Sequence, residues 1–243
     1  MDLRKVSHFL RKIRGIPYCG AVIVAAGNAS RMEGIDKILA PLEGIPVIQR
    51  TAQAFQDCAV IREIVIVTRE DRILPVKQLC AGMGKVTAVI AGGNSRQDSV
   101  ALGLAALDGR VELAAIQDGA RPLVTPDLIE RVVFAAQRYG GAVPAIPLKD
   151  TVKLGKKGLV MTTPDRKRLY AVQTPQVFEA GLIRAALEKA VQDGENLTDD
   201  CAAVERIGMK VSLTAGSREN IKITTPFDLL LGEAILESRV RGV

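Results

Sequence analysis

The chain predicts an α/β fold: a single Rossmann-like domain with a mostly parallel sheet flanked by helices, plus an extended β-arm. Three observations predict it. Short β-branched runs alternate with amphipathic helical stretches along 243 residues. Those runs are almost continuously apolar, the mark of strands covered on both faces. The alternation breaks once, near residue 148, where helical spacing disappears. In order, GAVIVAA (20–26), EIVIVT (63–68), VTAVIA (86–91), LAAIQD (113–118) and GAVPAIP (141–147) read as strands. Helices over 46–57, 71–82, 96–107 and 126–139 fill the intervals. The last opens TPDL, placing Thr125 as N-cap and Pro126 at the first helical position. Such βαβ repetition requires right-handed crossovers and puts ligands at the carboxyl ends of the strands. The segment KDTVKLGKKGLVMTTPDRKRLYAVQTPQVF is strand-like about its GKKG turn, an arm inserted at about 148–172. Helices over 179–191 and 199–207, a strand pair KVSLTA (210–215) and NIKIT (220–224), and a helix from 225 close the fold.

Charge is unevenly placed. Arg4, Lys5, Arg11, Lys12 and Arg14 stand against Asp2 alone, so four of the six net positive charges fall in the first 15 residues. Residues 1–19 are therefore expected to form a basic N-terminal extension on a near-neutral body. That pattern, with 3% aromatic residues and no Trp, argues against a nucleic-acid surface. The tail lacks the apolar core of a signal peptide, and no run approaches a membrane span. Leu3, Val6, Phe9, Leu10 and Ile13 have helical spacing, which suits a short docked or frayed helix. Cys19, Cys58, Cys80 and Cys201 are widely spaced and form no CxxC pair. They read as reduced thiols of a cytoplasmic protein. His8 is the only histidine, so histidine-based catalysis has almost no material.

Three stretches carry chemistry. AAGNASRM (25–32) follows the first strand as a phosphate-binding turn, with Arg31 and Lys37 in reach of an anion. It matches neither GxGxxG nor a Walker loop. AGGNSRQDSV (91–100) follows the third strand. Its glycine pair admits close approach of a ligand, and Ser95 or the Asp98–Ser99 pair caps the next helix. IQDGARP (116–122) sets Asp118 at the carboxyl end of the fourth strand, with Arg121 three residues on. A carboxylate there suits either Mg²⁺ or substrate hydroxyls. Lys222 interrupts an apolar strand, NIKIT.

Taken in order, AAGNASRM…K, GGNSRQDSV, DGARP, KDTVK, QTPQVF, TDD and NIKITTPFDL resemble the motifs of the 2-C-methyl-D-erythritol 4-phosphate cytidylyltransferases. The likeness spans about residues 20–235. It implies a nucleotidyltransferase domain over 20–239 that moves a cytidylyl group from CTP to a sugar-alcohol phosphate and releases pyrophosphate. By the same resemblance, cytosine rests on Ala25, Ala26, Gly27, Gly93 and Ser99, with Asn94 and Arg96 in the same segment. Arg31 and Lys37 steady the triphosphate, and Asp118, with Arg121 nearby, stands near the acceptor hydroxyls and a metal. Thr151, Arg166 and Lys222 place the acceptor phosphate. It further implies Mg²⁺ and a homodimer whose arms embrace, so that Thr151 serves the partner's site. Ala29, Asn94, Gln117 and Gly119 depart from the commonest family residues. The alternatives are a ribitol-5-phosphate cytidylyltransferase, which shares the nucleotide half, a nucleotide-binding protein without turnover, and a nicotinamide oxidoreductase. The missing GxGxxG disfavours the last.

A phosphate oxygen is already an anionic nucleophile at neutral pH, so this chemistry needs no histidine base. It needs cations that position two anions and neutralise charge in an in-line displacement.

Overall fold

The computed structural model describes residues 15–27, 32 and 34–242. Arg31, Ala29 and the basic stretch 1–14, with its expected short helix, lie outside the described residues. In chain order come β1 (Cys19–Ala25), β2 (Pro41–Leu42), β3 (Ile45–Pro46), α1 (Val47–Asp57), β4 (Ile61–Thr68), α2 (Ile73–Leu79) and β5 (Val86–Ala91). There follow α3 (Arg96–Ala106), β6 (Leu113–Asp118), α4 (Pro126–Tyr139), β7 (Gly141–Pro147), β8 (Leu154–Lys156), β9 (Leu159–Thr162) and β10 (Tyr170–Val172). The chain closes with β11 (Gln176–Glu179), α5 (Ala180–Gln192), α6 (Asp200–Arg206), β12 (Ser212–Ala215) and α7 (Pro226–Arg241).

The main sheet runs β10-β7-β11-β6-β1-β4-β5, with β12 also paired to β7. β1 pairs in parallel with β4 and β6, and β4 with β5. The apolar run of β1 explains its central place. Ala21, Ile23 and Ala25 enter the core under α1 and α4, while Val22 enters the opposite core under α3 and α5. Side chains alternate across a strand, so a strand apolar at every position needs cover on both faces. Gly103 brings α3 down onto the sheet: a Cβ there would collide with Val22 and stand 2.9 Å from Val67 Cγ2.

Helix starts follow local capping. Ser95 and Asp98 form a reciprocal capping box on α3, each bond 3.0 Å. Thr125 caps α4 with Pro126 in its first turn, and Gly140 ends it at φ 82°.

Three expectations need correction. The helix expected over 71–82 is a 3₁₀ turn (Glu70–Arg72) followed by the short α2. Only Val76 of α2 is buried, so little packing extends it toward Gly82 and Gly84. NIKIT is not a strand. Its one backbone bond to the sheet end is Ile223 N–H to the Ala120 carbonyl, 2.8 Å. Side chains supply the rest of its ties: Arg121 Nη1 donates to Asn220 O (2.7 Å), Gln173 Nε2 to Ser217 O (2.7 Å), and Asn220 Nδ2 to Thr174 O (3.0 Å). QTPQVF, read with the arm, supplies β11, which inserts antiparallel between β6 and β7. Beyond β7 the chain makes an exposed β8–β9 hairpin and returns as β10 along the sheet edge.

Candidate active site

The carboxyl ends of β1, β4, β5 and β6 surround a cavity of about 390 Å³. The turn after β1 gives one wall through Ala25, Ala26 and Gly27, and the turn after β5 gives the facing wall through Gly92, Gly93 and Asn94. These walls touch: a Cβ on Gly92 would collide with Ala26 and stand 2.7 Å from Ser99 Oγ. Ser99 is fully engaged in shaping that turn. Its Oγ accepts from Gly93 N–H (3.1 Å) and donates to the Ser95 carbonyl (2.9 Å). The floor is therefore largely backbone, which a ligand can approach closely.

Charge gathers at the β6 end. Asp118 is 8% exposed, and three cations face it: Lys222 Nζ at 2.9 Å from Oδ2, Arg121 Nε at 3.3 Å from Oδ2, and Arg96 Nε at 3.8 Å from Oδ1. Burial opposes its charge, yet Lys222, Arg96 and Arg121 outweigh burial and hold its carboxyl below the ordinary range. Arg96 is itself gripped by Asp200, Nη1 to Oδ1 at 2.9 Å and Nη2 to Oδ2 at 2.7 Å. Asp200 is 1% exposed; burial pushes its carboxyl up while Arg96 pulls it back. Burial also opposes charge on Arg96, but the facing aspartates keep it protonated.

The structure thus brings Ala25, Ala26, Gly27, Lys37, Gly93, Asn94, Arg96, Ser99, Asp118 and Lys222 to one cleft. Arg121 stands beside it through Asp118. Thr151 and Arg166 are not in the cleft: both are exposed on the arm, where Arg166 donates to the Lys149 carbonyl. Sequence reasoning missed Arg69, which lines the cavity, although the end of β4 is where a parallel sheet presents functional groups. It counted TDD among the family motifs but gave Asp200 no role. Nothing in the sequence couples Asp200 to an arginine 104 positions away.

Asp118 does not fit a metal ligand. A hard divalent cation wants several oxygen donors, and both oxygens here already face ammonium or guanidinium groups. Among the described residues no group of three or more His, Cys, Asp or Glu side chains is placed to hold a metal ion.

A cleft at the carboxyl edge of a parallel sheet, floored by glycine turns and walled by cations, suits a phosphate-bearing ligand in the manner of α/β nucleotide-binding proteins. Comparison with known proteins is more specific. A family model described as "IspD: 2-C-methyl-D-erythritol 4-phosphate cytidylyltransferase" matches residues 19–238, and the chain belongs to that family. A 2-C-methyl-D-erythritol 4-phosphate cytidylyltransferase from Dehalococcoides mccartyi (strain CBDB1) is 46% identical over 221 residues, 90% of this chain and 96% of that one. The protein of the same name from Symbiobacterium thermophilum is 43% identical over 222 residues, covering 90% and 93%. Among solved structures, the 4-diphosphocytidyl-2C-methyl-D-erythritol synthase of Anaerococcus prevotii superposes with a TM-score of 0.83 at 32% identity, covering 91% of this chain and 96% of that one.

Proposed function

We propose that this chain transfers a cytidylyl group from CTP to 2-C-methyl-D-erythritol 4-phosphate, a step of isoprenoid precursor synthesis by the methylerythritol phosphate pathway. An acceptor phosphate oxygen attacks the α-phosphorus of CTP. The bond from that phosphorus to the bridging oxygen breaks, giving 4-diphosphocytidyl-2-C-methyl-D-erythritol and pyrophosphate. The observation that carries this reading is the convergence of Lys37, Asp118 and Lys222 on one glycine-floored cleft in a member of this family.

In this reading the turns at 25–27 and 92–94 hold the cytosine, and Arg31 and Lys37 steady the triphosphate. Lys222, anchored on Asp118, receives the acceptor phosphate. When bound with the nucleotide, Mg²⁺ would neutralise phosphate charge in the displacement; no residue of this chain is assigned to hold it. The protein works as a homodimer. Leu154, Leu159, Val160 and Met161 are each more than half exposed on the β8–β9 hairpin, an apolar surface that a second copy would cover. Its arm would carry Thr151 and Arg166 to the neighbouring cleft. Four buried free thiols support a cytoplasmic setting, and no helix among the described residues is long and apolar enough to cross a membrane.

Pyrophosphate release from Mg·CTP, measured against a panel of polyol phosphates, tests the assignment. Turnover with methylerythritol phosphate is expected; turnover with ribitol 5-phosphate alone would reverse it.

A further inference from the structure

We propose that Arg69 is a further nucleotide contact of this chain, its guanidinium leaving two carboxylates at the cleft edge to take a phosphate oxygen of the bound nucleotide. This deepens the cytidylyl-transfer reading and rests on it. Arg69 directly follows β4, whose neighbours in the sheet are β1 and β5, and its side chain lines the cavity together with Gly27, Lys37 and Gly93. Among the described residues, the other two arginines beside Asp118 are committed. Arg96 is gripped by Asp200, and Arg121 is spent on Asp118 and the Asn220 carbonyl.

Arg69 is held differently. Its Nε and Nη2 donate to the two oxygens of Asp71, each at 3.1 Å, and Nη2 stands 3.6 Å from Asp36 Oδ2. The Arg69 side chain is 35% exposed and that of Asp71 58%, so water screens this pair and it holds weakly. Moving the guanidinium strands neither carboxylate. Arg72 Nε stays 2.8 Å from Asp36, and Arg72 Nη1 stays 3.5 Å from Asp71. A triphosphate offers a stronger partner than one solvated carboxylate, because its clustered oxygens match the guanidinium fork and carry more charge. The hydrogen bond from Arg69 keeps the Asp71 carboxyl below its ordinary range. Asp71 is therefore an anion at neutral pH that competes with the nucleotide for Arg69.

The test is calorimetric titration of wild type, Arg69→Ala and Asp71→Asn with CTP and, separately, with cytidine. Arg69→Ala is expected to weaken CTP on the order of tenfold, one charge-assisted contact, and to leave cytidine unchanged. Asp71→Asn is expected to tighten CTP by releasing the guanidinium. Equal CTP affinity in wild type and Arg69→Ala would overturn the assignment. So would an equal loss for CTP and cytidine, which signals a damaged pocket, or a weaker grip on CTP in Asp71→Asn. Wild type that binds CTP but releases no pyrophosphate with any polyol phosphate would instead overturn the proposed function. An active enzyme whose CTP affinity ignores Arg69→Ala would overturn this inference alone.

Discussion

Replacing Lys222 with Met tests the proposed division of the cleft into an acceptor half and a nucleotide half. The Lys222–Asp118 contact is 2.9 Å, and at an effective dielectric of about 20 its bare attraction is about 6 kcal/mol. Little of that survives as stability. Lys222 is 40% exposed, and hydration of the ammonium and screening reduce such pairs to about 0.2–1 kcal/mol. Asp118 also keeps Arg121 and Arg96. We expect a loss of about 1 kcal/mol at neutral pH, a fall of about 2–4 °C in Tm for a chain of this size. The kinetic effect should be far larger. One preorganised cation removed from a reacting phosphate costs on the order of 10²–10³ in rate, so kcat/KM for methylerythritol phosphate should fall by that factor while CTP affinity persists. The pH dependence has a definite sign. A carboxyl held below its ordinary range stabilises the fold at pH above its unfolded value, and that contribution disappears as pH falls through the folded one. The stability gap between wild type and Lys222→Met should therefore be widest near neutrality and close in acid. Thermal melts across pH, with CTP titration and initial rates, read all three. Weakening of CTP as severe as the loss with acceptor, or a gap that widens in acid, would refute the reasoning.

Three further outcomes are expected. Gly103→Ala forces a methyl group against Val22 and Val67 and should cost about 1–3 kcal/mol by overpacking, visible as a lower urea midpoint; an unchanged midpoint would show that α3 shifts freely. Gln117 is fully buried with both amide atoms unpartnered among the described residues. Gln117→Met should raise stability by about 1 kcal/mol, and a lower Tm would reveal a partner for that amide. Lys222→Met and Arg166→Ala, each impaired alone, should recover activity when mixed and allowed to exchange subunits, because in the proposed dimer, with its arms crossed, a mixed pair would keep one intact cleft. No recovery would place Arg166 in its own chain's chemistry.

The central strands were legible because their chemistry is local. Each residue of β1, and each of β4 from Ile64 to Val67, is apolar or small enough to satisfy one of two cores, and the period-two split between Ala21/Ile23 and Val22 follows from pleating alone. The caps at Ser95 and Thr125 were legible for the same reason. What failed was non-local. NIKIT has strand composition, but Arg121, Gln173 and Asn220 supply the ties that strand neighbours would have supplied. β11 owes its place to the gap between β6 and β7, and QTPQVF does not encode that gap. In the site, glycine turns and strand-end charges could be found by position, whereas the grip of Asp200 on Arg96 exists only once folding brings the first residue of α6 to the first residue of α3.

Among the described residues, the stretch 217–224 is tied to the rest of the molecule by side-chain bonds, the buried side chain of Ile223 and a single main-chain bond at Ile223. It can therefore be rewritten without disturbing strand register. Exchanging that strap between relatives that prefer different polyols is a direct route to a new acceptor, because the turns at 25–27 and 92–94, proposed above to hold cytidine, follow other strands and would be inherited intact.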